Sequence, residues 1–227
     1  KAKLDYEFTT DWLENKNGED ITPLWLKENN IEIYKNWNMS DDIDYSNEES
    51  HTPWWKREMT QGEIGCAISH WAVWKNCDDL DYITVLEDDA LFNSDMKLRE
   101  YNMVDKLNTM DIEWDLLYLG RVPQDCALEK EGPLPNLMIP KFTYCTYGYT
   151  LSRRGVQKLR EYGFHKGKII PSDELLTSTF FPHHREDIRK IISPTMRAFS
   201  FKNLLITQRS FNEVGSDTGL PEGKTKA

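Results

Sequence analysis

Basic charge is what this 227-residue chain has least to spare: 28 Lys and Arg stand against 38 Asp and Glu, a formal charge of −10. Such a balance argues against nucleic acid or an anionic membrane as the main partner, although a local basic patch is compatible with it. No uncharged apolar run approaches the ~20 residues that cross a bilayer. No basic, apolar, small-residue signal opens the chain. The expectation is a soluble domain with neither a membrane span nor a signal, in a compartment left unassigned. A lone Asn38-Met-Ser40 sequon is too short a motif to establish secretion. Cysteine is scarce. Cys66, Cys77, Cys126 and Cys145 form no C-x-x-C pair and no His–Cys ligand cluster, so structural zinc is not expected. Ordinary buried thiols are the preferred reading, with one disulfide left open. A Gly-rich phosphate loop, a G-x-S-x-G elbow and an H-E-x-x-H pair are all missing, which weakens readings as a P-loop NTPase, serine hydrolase or zinc protease. Internal repeats and low-complexity tracts are also missing.

What is there suffices for a core. With 39% hydrophobic residues and 8 Trp, the chain is expected to be globular, as a single α/β domain over 1–220 with a flexible tail at 221–227. A strand is expected at Leu4 to Phe8, a polar helical stretch near Thr22 to Asn29, and an acidic surface loop over 38–53. The clearest helix starts at Thr60, where Thr60-Gln-Gly-Glu63 has the form of a capping box. Ile64, Ala67, Ile68, Trp71 and Trp74 or Lys75 then follow one helix face. Strands are expected at Tyr82 to Leu86, at Trp114 to Leu119 (ended by Gly120-Arg121) and at Tyr144 to Leu151. Ser152 caps a helix from about Arg153 to Tyr162, stopped by Gly163. Another helix opens at Pro171-Ser172-Asp173-Glu174 with Ser172 as its cap. Irregular strands fill 188–206. Helices alternating with strands are α/β grammar.

Three constellations could carry chemistry. Tyr82-Ile-Thr-Val-Leu86 reads as a buried parallel strand, and it ends abruptly in Glu87-Asp88-Asp89. Three adjacent carboxylates raise one another's pKa and resist desolvation, a penalty that a divalent cation such as Mg²⁺ or Mn²⁺ removes. Alternation would place Glu87 and Asp89 on one side. A solvated acidic turn is the ordinary alternative. Asp173-Glu174 stands at a helix N-terminus, where acids usually serve the macrodipole; one of them could instead be a general base. Ser69-His70 lies near the apolar stripe of the Thr60 helix, where a satisfied core histidine is the usual case. His183-His184 reads as a surface pair.

Four segments in order resemble the family-25 glycosyltransferases, which include procollagen and bacterial lipooligosaccharide galactosyltransferases. They are Gly62-Glu63-Ile-Gly-Cys-Ala-Ile-Ser69-His70-Trp-Ala-Val-Trp74, Val85-Leu-Glu87-Asp88-Asp89-Ala-Leu-Phe92, Trp114-Asp-Leu-Leu-Tyr-Leu-Gly120-Arg121 and Pro171-Ser-Asp173-Glu174-Leu-Leu. Tyr144 to Gly155 is similar to the family's aromatic strand and following helix start, and Ser216-Asp217-Thr218 to a motif of its collagen-modifying branch. The Ser-His-Trp-x-x-Trp wording is especially similar to glycosyltransferase domains attached to collagen lysyl hydroxylases, including those of giant viruses. The resemblance implies a GT-A-like, Rossmann-like domain with a mostly parallel sheet flanked by helices. It implies a UDP-hexose donor, Mn²⁺ (or Mg²⁺) as cofactor, and a protein or glycan acceptor such as a collagen-like chain. By the same analogy Asp89 ligates the metal, Asp217 contributes a further metal or diphosphate contact, and Glu87 or Asp88 faces the ribose or sugar. Ser69 and His70 line the donor pocket, and Asp173, with Glu174 as runner-up, is the base of an inverting displacement. The family's opening aliphatic strand is not evident here: either that strand is lacking, or Leu4 to Phe8 is a divergent replacement.

Overall fold

The computed structural model describes residues 23–28, 30–34, 37, 59, 61–77, 80–162 and 168–209. Leu4 to Phe8, the 38–53 loop, Thr60, Gly163, Asp217 and the tail lie outside the described residues. In chain order, the first elements are α1 (Pro23–Glu28), β1 (Glu32–Ile33), α2 (Gln61–Lys75), β2 (Tyr82–Leu86), β3 (Ala90–Phe92), α3 (Met96–Thr109) and β4 (Leu116–Pro123). There follow β5 (Lys130–Glu131), β6 (Leu137–Ile139), β7 (Thr143–Ser152), α4 (Arg153–Tyr162), β8 (Lys168–Ile169), α5 (Ser172–Ser178), α6 (Glu186–Arg189), β9 (Ala198–Phe201) and β10 (Ile206–Gln208).

The α/β class is as expected, but the strand directions are not. A six-stranded sheet runs β2-β7-β4-β9-β6-β5. Among the described residues only β4–β9 is parallel in it, while β2–β7, β4–β7, β6–β9 and β5–β6 are antiparallel. The sheet is therefore mixed rather than mostly parallel. The cause is β7, a ten-residue return strand inserted between β2 and β4. Parallel neighbours need a long crossover, and the stretch from β4 to β9, which contains α4, α5 and α6, supplies the one for this sheet. Strand β2 is accordingly not buried on both sides: its burial alternates, with Ile83 and Val85 inside.

The two faces of β4 explain its uninterrupted apolar reading. Leu116 and Tyr118 join a core with Ile64, Ala67, Ile68 and Trp74 of α2, Val156 and Leu159 of α4, and Leu175 and Leu176 of α5. Leu117 and Leu119, pointing the other way, join Met103, Val104 and Leu107 of α3 with Phe199, Phe201 and Ile206. Glu100 of α3 reaches the sheet, accepting hydrogen bonds from Thr84 and, at 2.6 Å, from Thr150. Helix α3 went unanticipated because its exposed face is so polar.

Strand β4 runs through Gly120-Arg121 to Pro123 instead of ending there. Arg121 is held in a buried fork, donating to both oxygens of Glu129 at 2.7 Å and to Ser200 Oγ at 2.8 Å. Ser152 caps α4 as expected, accepting Gly155 N–H at 3.1 Å. Ser172 does not cap α5: it is the first helical residue, after Pro171, and no side-chain cap bond forms.

At Gly155 the first turn of α4 rests on the β4 entry so closely that a Cβ would overlap the Asp115 carbonyl oxygen, which is rigid backbone. Gly155→Ala is expected to destabilise the fold by about 1–3 kcal/mol, the usual cost of overpacking, despite alanine's better helix propensity. A urea midpoint equal to or above that of the unmodified protein would contradict this.

Candidate active site

The site is organised by an irregularity in β7. Tyr144 pairs with Val122 and Gly148 pairs with Gly120, so three residues of β7, Cys145 to Tyr147, stand opposite the single Arg121 of β4. Such bulges re-aim side chains and leave backbone groups free of the ladder. Cys145 has φ 63°, the left-handed region that a non-glycine residue rarely occupies. Its N–H is turned to Asp173 Oδ2, 3.2 Å away. Thr146 donates its hydroxyl to Glu87, and the Tyr147 carbonyl accepts Glu87 N–H at 3.1 Å. The bulge thus links the acidic turn at the end of β2 to the start of α5. Neither end of that link predicts the other in the sequence, and no motif marks Cys145-Thr-Tyr147 as the hinge between them.

The acidic turn separates its three carboxylates. Glu87 is turned onto α2, with Oε1 3.4 Å from His70 Nε2. Burial works against its charge, but His70 and Thr146 outweigh this and hold it below the usual carboxylate range. Asp88 is exposed. Asp89 faces β10, accepting from Gln208 Nε2 at 2.5 Å. The expected placement of Glu87 and Asp89 on one side does not hold, because a turn at 88–89 breaks the alternation. Desolvation, with Glu87 and Asp88 as like-charged neighbours, pushes the Asp89 pKa up. Its Oδ1 is shielded from solvent and takes no hydrogen bond from another of the described residues. A desolvated, orphaned carboxylate oxygen beside two further acids fits a hard divalent cation. Such ions need only one or two protein carboxylates when substrate phosphates complete the shell.

Asp173 is enclosed. Its Oδ1 accepts the Glu174 N–H at 2.8 Å and its Oδ2 the Cys145 N–H. Burial, and after it the charges of Glu174 and Glu63, raise its pKa to about 7 against these two hydrogen bonds. Cys145 lies within the fields of Asp173, Glu87 and Asp89, which together with burial push its thiol up to about 12. It is a neutral thiol amid three acids, not a nucleophile.

Glu174 is engaged elsewhere. It is buried, and its Oε2 is 2.8 Å from His183 Nε2. Arg185 N–H donates to His183 Nδ1 at 3.0 Å, so the Nε2 proton is the one given to Glu174. Burial and the nearby Arg185 keep this imidazole neutral by lowering its pKa to about 4. The expected surface histidine is therefore a core residue at 183, while His184 is exposed. Glu174 supports Asp173 by charge. Glu174→Gln, which keeps an acceptor for His183, is expected to lower the Asp173 pKa by on the order of one unit, since a like charge favours the protonated acid. A carboxyl-carbon NMR titration of Asp173 would read this, and an unmoved midpoint would contradict it.

His70 is buried between Trp74 and Tyr149, with Nδ1 2.7 Å from Tyr149 OH. Burial opposes its protonation, yet the Tyr149, Cys66 and Glu87 groups around it leave its pKa raised. It is both a satisfied core histidine and a partner of the acidic turn. Ser69 spends its only hydroxyl proton on the Gly65 carbonyl at 2.9 Å, leaving oxygen lone pairs for any other contact.

With a mixed α/β sheet, an acidic turn at a strand end and a half-buried carboxyl across a bulge, the chain belongs to glycosyltransferase family 25. The family model, described as "Glycosyltransferase family 25 (LPS biosynthesis protein)", matches residues 29–176. Among curated relatives, "Procollagen galactosyltransferase 1-B" of Xenopus laevis is 36% identical over 160 residues, 68% of this chain and 26% of the relative. "Procollagen galactosyltransferase 2" of Homo sapiens is 31% identical over 213 residues, 91% of this chain and 32% of the relative. "Inactive glycosyltransferase 25 family member 3" of Mus musculus is 31% identical over 166 residues, 70% of this chain and 28% of the relative. The chain thus spans between a quarter and a third of the length of these relatives. No helix among the described residues is long and apolar enough to cross a membrane.

Proposed function

We propose that this domain transfers a hexose, galactose or glucose, from a UDP-sugar to a hydroxyl group, with inversion at the anomeric carbon. Hydroxylysine or galactosyl-hydroxylysine of a collagen-like chain is the acceptor we infer, from the relatives named as procollagen galactosyltransferases. The observation that carries the reading is Asp173: a half-buried carboxyl with a pKa of about 7, joined through the Cys145 bulge to the acidic turn. A general base works best when its pKa lies near the operating pH. Asp173 takes the proton of the acceptor hydroxyl as that oxygen bonds to the anomeric carbon, and the bond from that carbon to UDP breaks on the opposite face. Asp89 holds the cation, Mn²⁺ or Mg²⁺, with Asp217 as a further candidate contact. When bound, that ion supplies Lewis-acid stabilisation of the charge growing on the UDP leaving group. Glu87, fixed by His70 and Thr146, and the exposed Asp88 face the ribose or sugar, and Ser69 and His70 support that wall of the donor pocket.

A second reading has a specific motive, the relative named as inactive: a module of the same family that binds nucleotide-sugar or glycan without turnover. Calorimetry with UDP, together with UDP release in the presence of acceptor, separates the two. Binding with release supports transfer, and binding without release from any UDP-hexose supports the module.

A further inference from the structure

Helix α2 carries a second constellation, against the expectation that no cysteine joins a His–Cys ligand cluster. Cys66 and His70 are one helical turn apart and share a face, and the end of β2 brings Glu87 opposite them. The thiol sulfur, one imidazole nitrogen and one carboxylate oxygen of these residues all lie within 4.8 Å of one another. His70 Nε2 and Glu87 Oε1 are 3.4 Å apart, close to the roughly 3.3 Å edge between two ligands each about 2.0–2.1 Å from a tetrahedral centre.

Each of the three groups also has a hydrogen-bond partner. Cys66 Sγ lies 3.2 Å from Ser172 Oγ. His70 Nδ1 lies 2.7 Å from Tyr149 OH, which accepts Trp74 Nε1–H at 3.0 Å. Glu87 Oε1 accepts the Thr146 hydroxyl, whose oxygen is also 3.3 Å from His70 Nε2, so Thr146 borders the ion position itself. Outer partners of this kind orient ligands around a metal. Charge balance agrees: a thiolate, a carboxylate and a neutral imidazole around a divalent ion sum to zero, which suits the buried His70.

We propose that Cys66, His70 and Glu87 form a binding site for a borderline-soft divalent cation of the Zn²⁺ or Co²⁺ class, separate from the hard-cation position at Asp89. Thiolate and imidazole select against Mg²⁺ and Mn²⁺, so softness sorts ions between the two positions. Binding converts the Cys66 thiol to a metal-bound thiolate and releases its proton to solvent, so affinity falls as pH falls. Three protein ligands leave a fourth position open to water. Glu87 engaged in this way leaves the donor wall, which makes zinc an antagonist of the proposed transfer. The site itself does not rest on that reading.

The test is a Co²⁺ titration of the full chain followed by absorption. The expected result is a near-ultraviolet thiolate-to-cobalt charge-transfer band with tetrahedral visible bands, saturating at one equivalent and erased by one equivalent of Zn²⁺. The charge-transfer band should vanish in Cys66→Ser and survive in Cys145→Ser and Asp89→Asn. A second measurement avoids mutation: Zn²⁺ should slow iodoacetamide alkylation of Cys66, read by peptide mass spectrometry, at least tenfold. No charge-transfer band in the unmodified protein at excess Co²⁺ would overturn the proposal. So would a band that persists in Cys66→Ser, one lost in Asp89→Asn, or an unchanged Cys66 alkylation rate.

Discussion

Asp89→Ala is expected to abolish cation-dependent UDP binding and to lower transfer on the order of 10³-fold or more, the rate equivalent of several kcal/mol of Lewis-acid stabilisation. The expectation rests on one atom. Among the described residues, Asp89 Oδ1 is desolvated and takes no hydrogen bond from another residue, while Glu87 and Asp88 repel its charge. A divalent cation would satisfy such an oxygen. Its structural role is small: the side chain accepts from Gln208, and the bond from Arg209 N–H goes to the Asp89 backbone carbonyl, which alanine retains. Because folding raises the pKa of Asp89, its charge is a liability to the folded state at neutral pH. The thermal midpoint of Asp89→Ala should therefore match or exceed that of the unmodified protein. Loss of UDP binding with a lowered midpoint would mark a scaffold role instead, and unchanged Mn²⁺-dependent binding would remove Asp89 from the site.

Asp173→Asn is expected to lower kcat by about 10²–10⁴-fold, the range attributed to a positioned general base, with the KM for donor little changed. The pH dependence of stability gives an independent signature. The folded pKa of about 7 lies above the ordinary carboxylate value of about 4 in the unfolded chain. The folded state therefore binds the proton more tightly, and this group's stabilisation is complete below pH ~4. It is lost as pH rises through about 7. Asparagine cannot titrate. The variant should thus show a flatter melting-temperature profile between pH 4 and 8, alongside its loss of turnover. A variant equally active, or one with the same pH slope, would place the titrating base elsewhere.

Much of this was legible in the sequence, and the reasons differ from element to element. Helix α2 announced itself through Ile64, Ala67, Ile68 and Trp74, all buried as the spacing required. The Ser152 cap and α4 were readable because one hydroxyl meets one free N–H locally. Strand β2 was read correctly as a strand and wrongly as a parallel one, since a short apolar run carries no sign of its partner's direction. Its antiparallel neighbour lies more than fifty residues further on. The acids at 87–89 and 173–174 were visible as acids. Their roles were not, because Glu87 and Glu174 are assigned by His70 and by His183, contacts made only on folding. From its helix N-terminus alone, Asp173 reads first as an acid serving the macrodipole. Burial and the charge of Glu174 reverse that reading, and neither quantity is a property of local sequence.

Catalysis at this site is read by acceptor-dependent UDP release. The unmodified chain would be incubated with UDP-galactose or UDP-glucose and a hydroxylysine or galactosyl-hydroxylysine peptide, with and without Mn²⁺. UDP release is expected to require both the peptide and the cation, with a matching gain of one hexose mass on the peptide. UDP binding without acceptor-dependent release from either donor would contradict it.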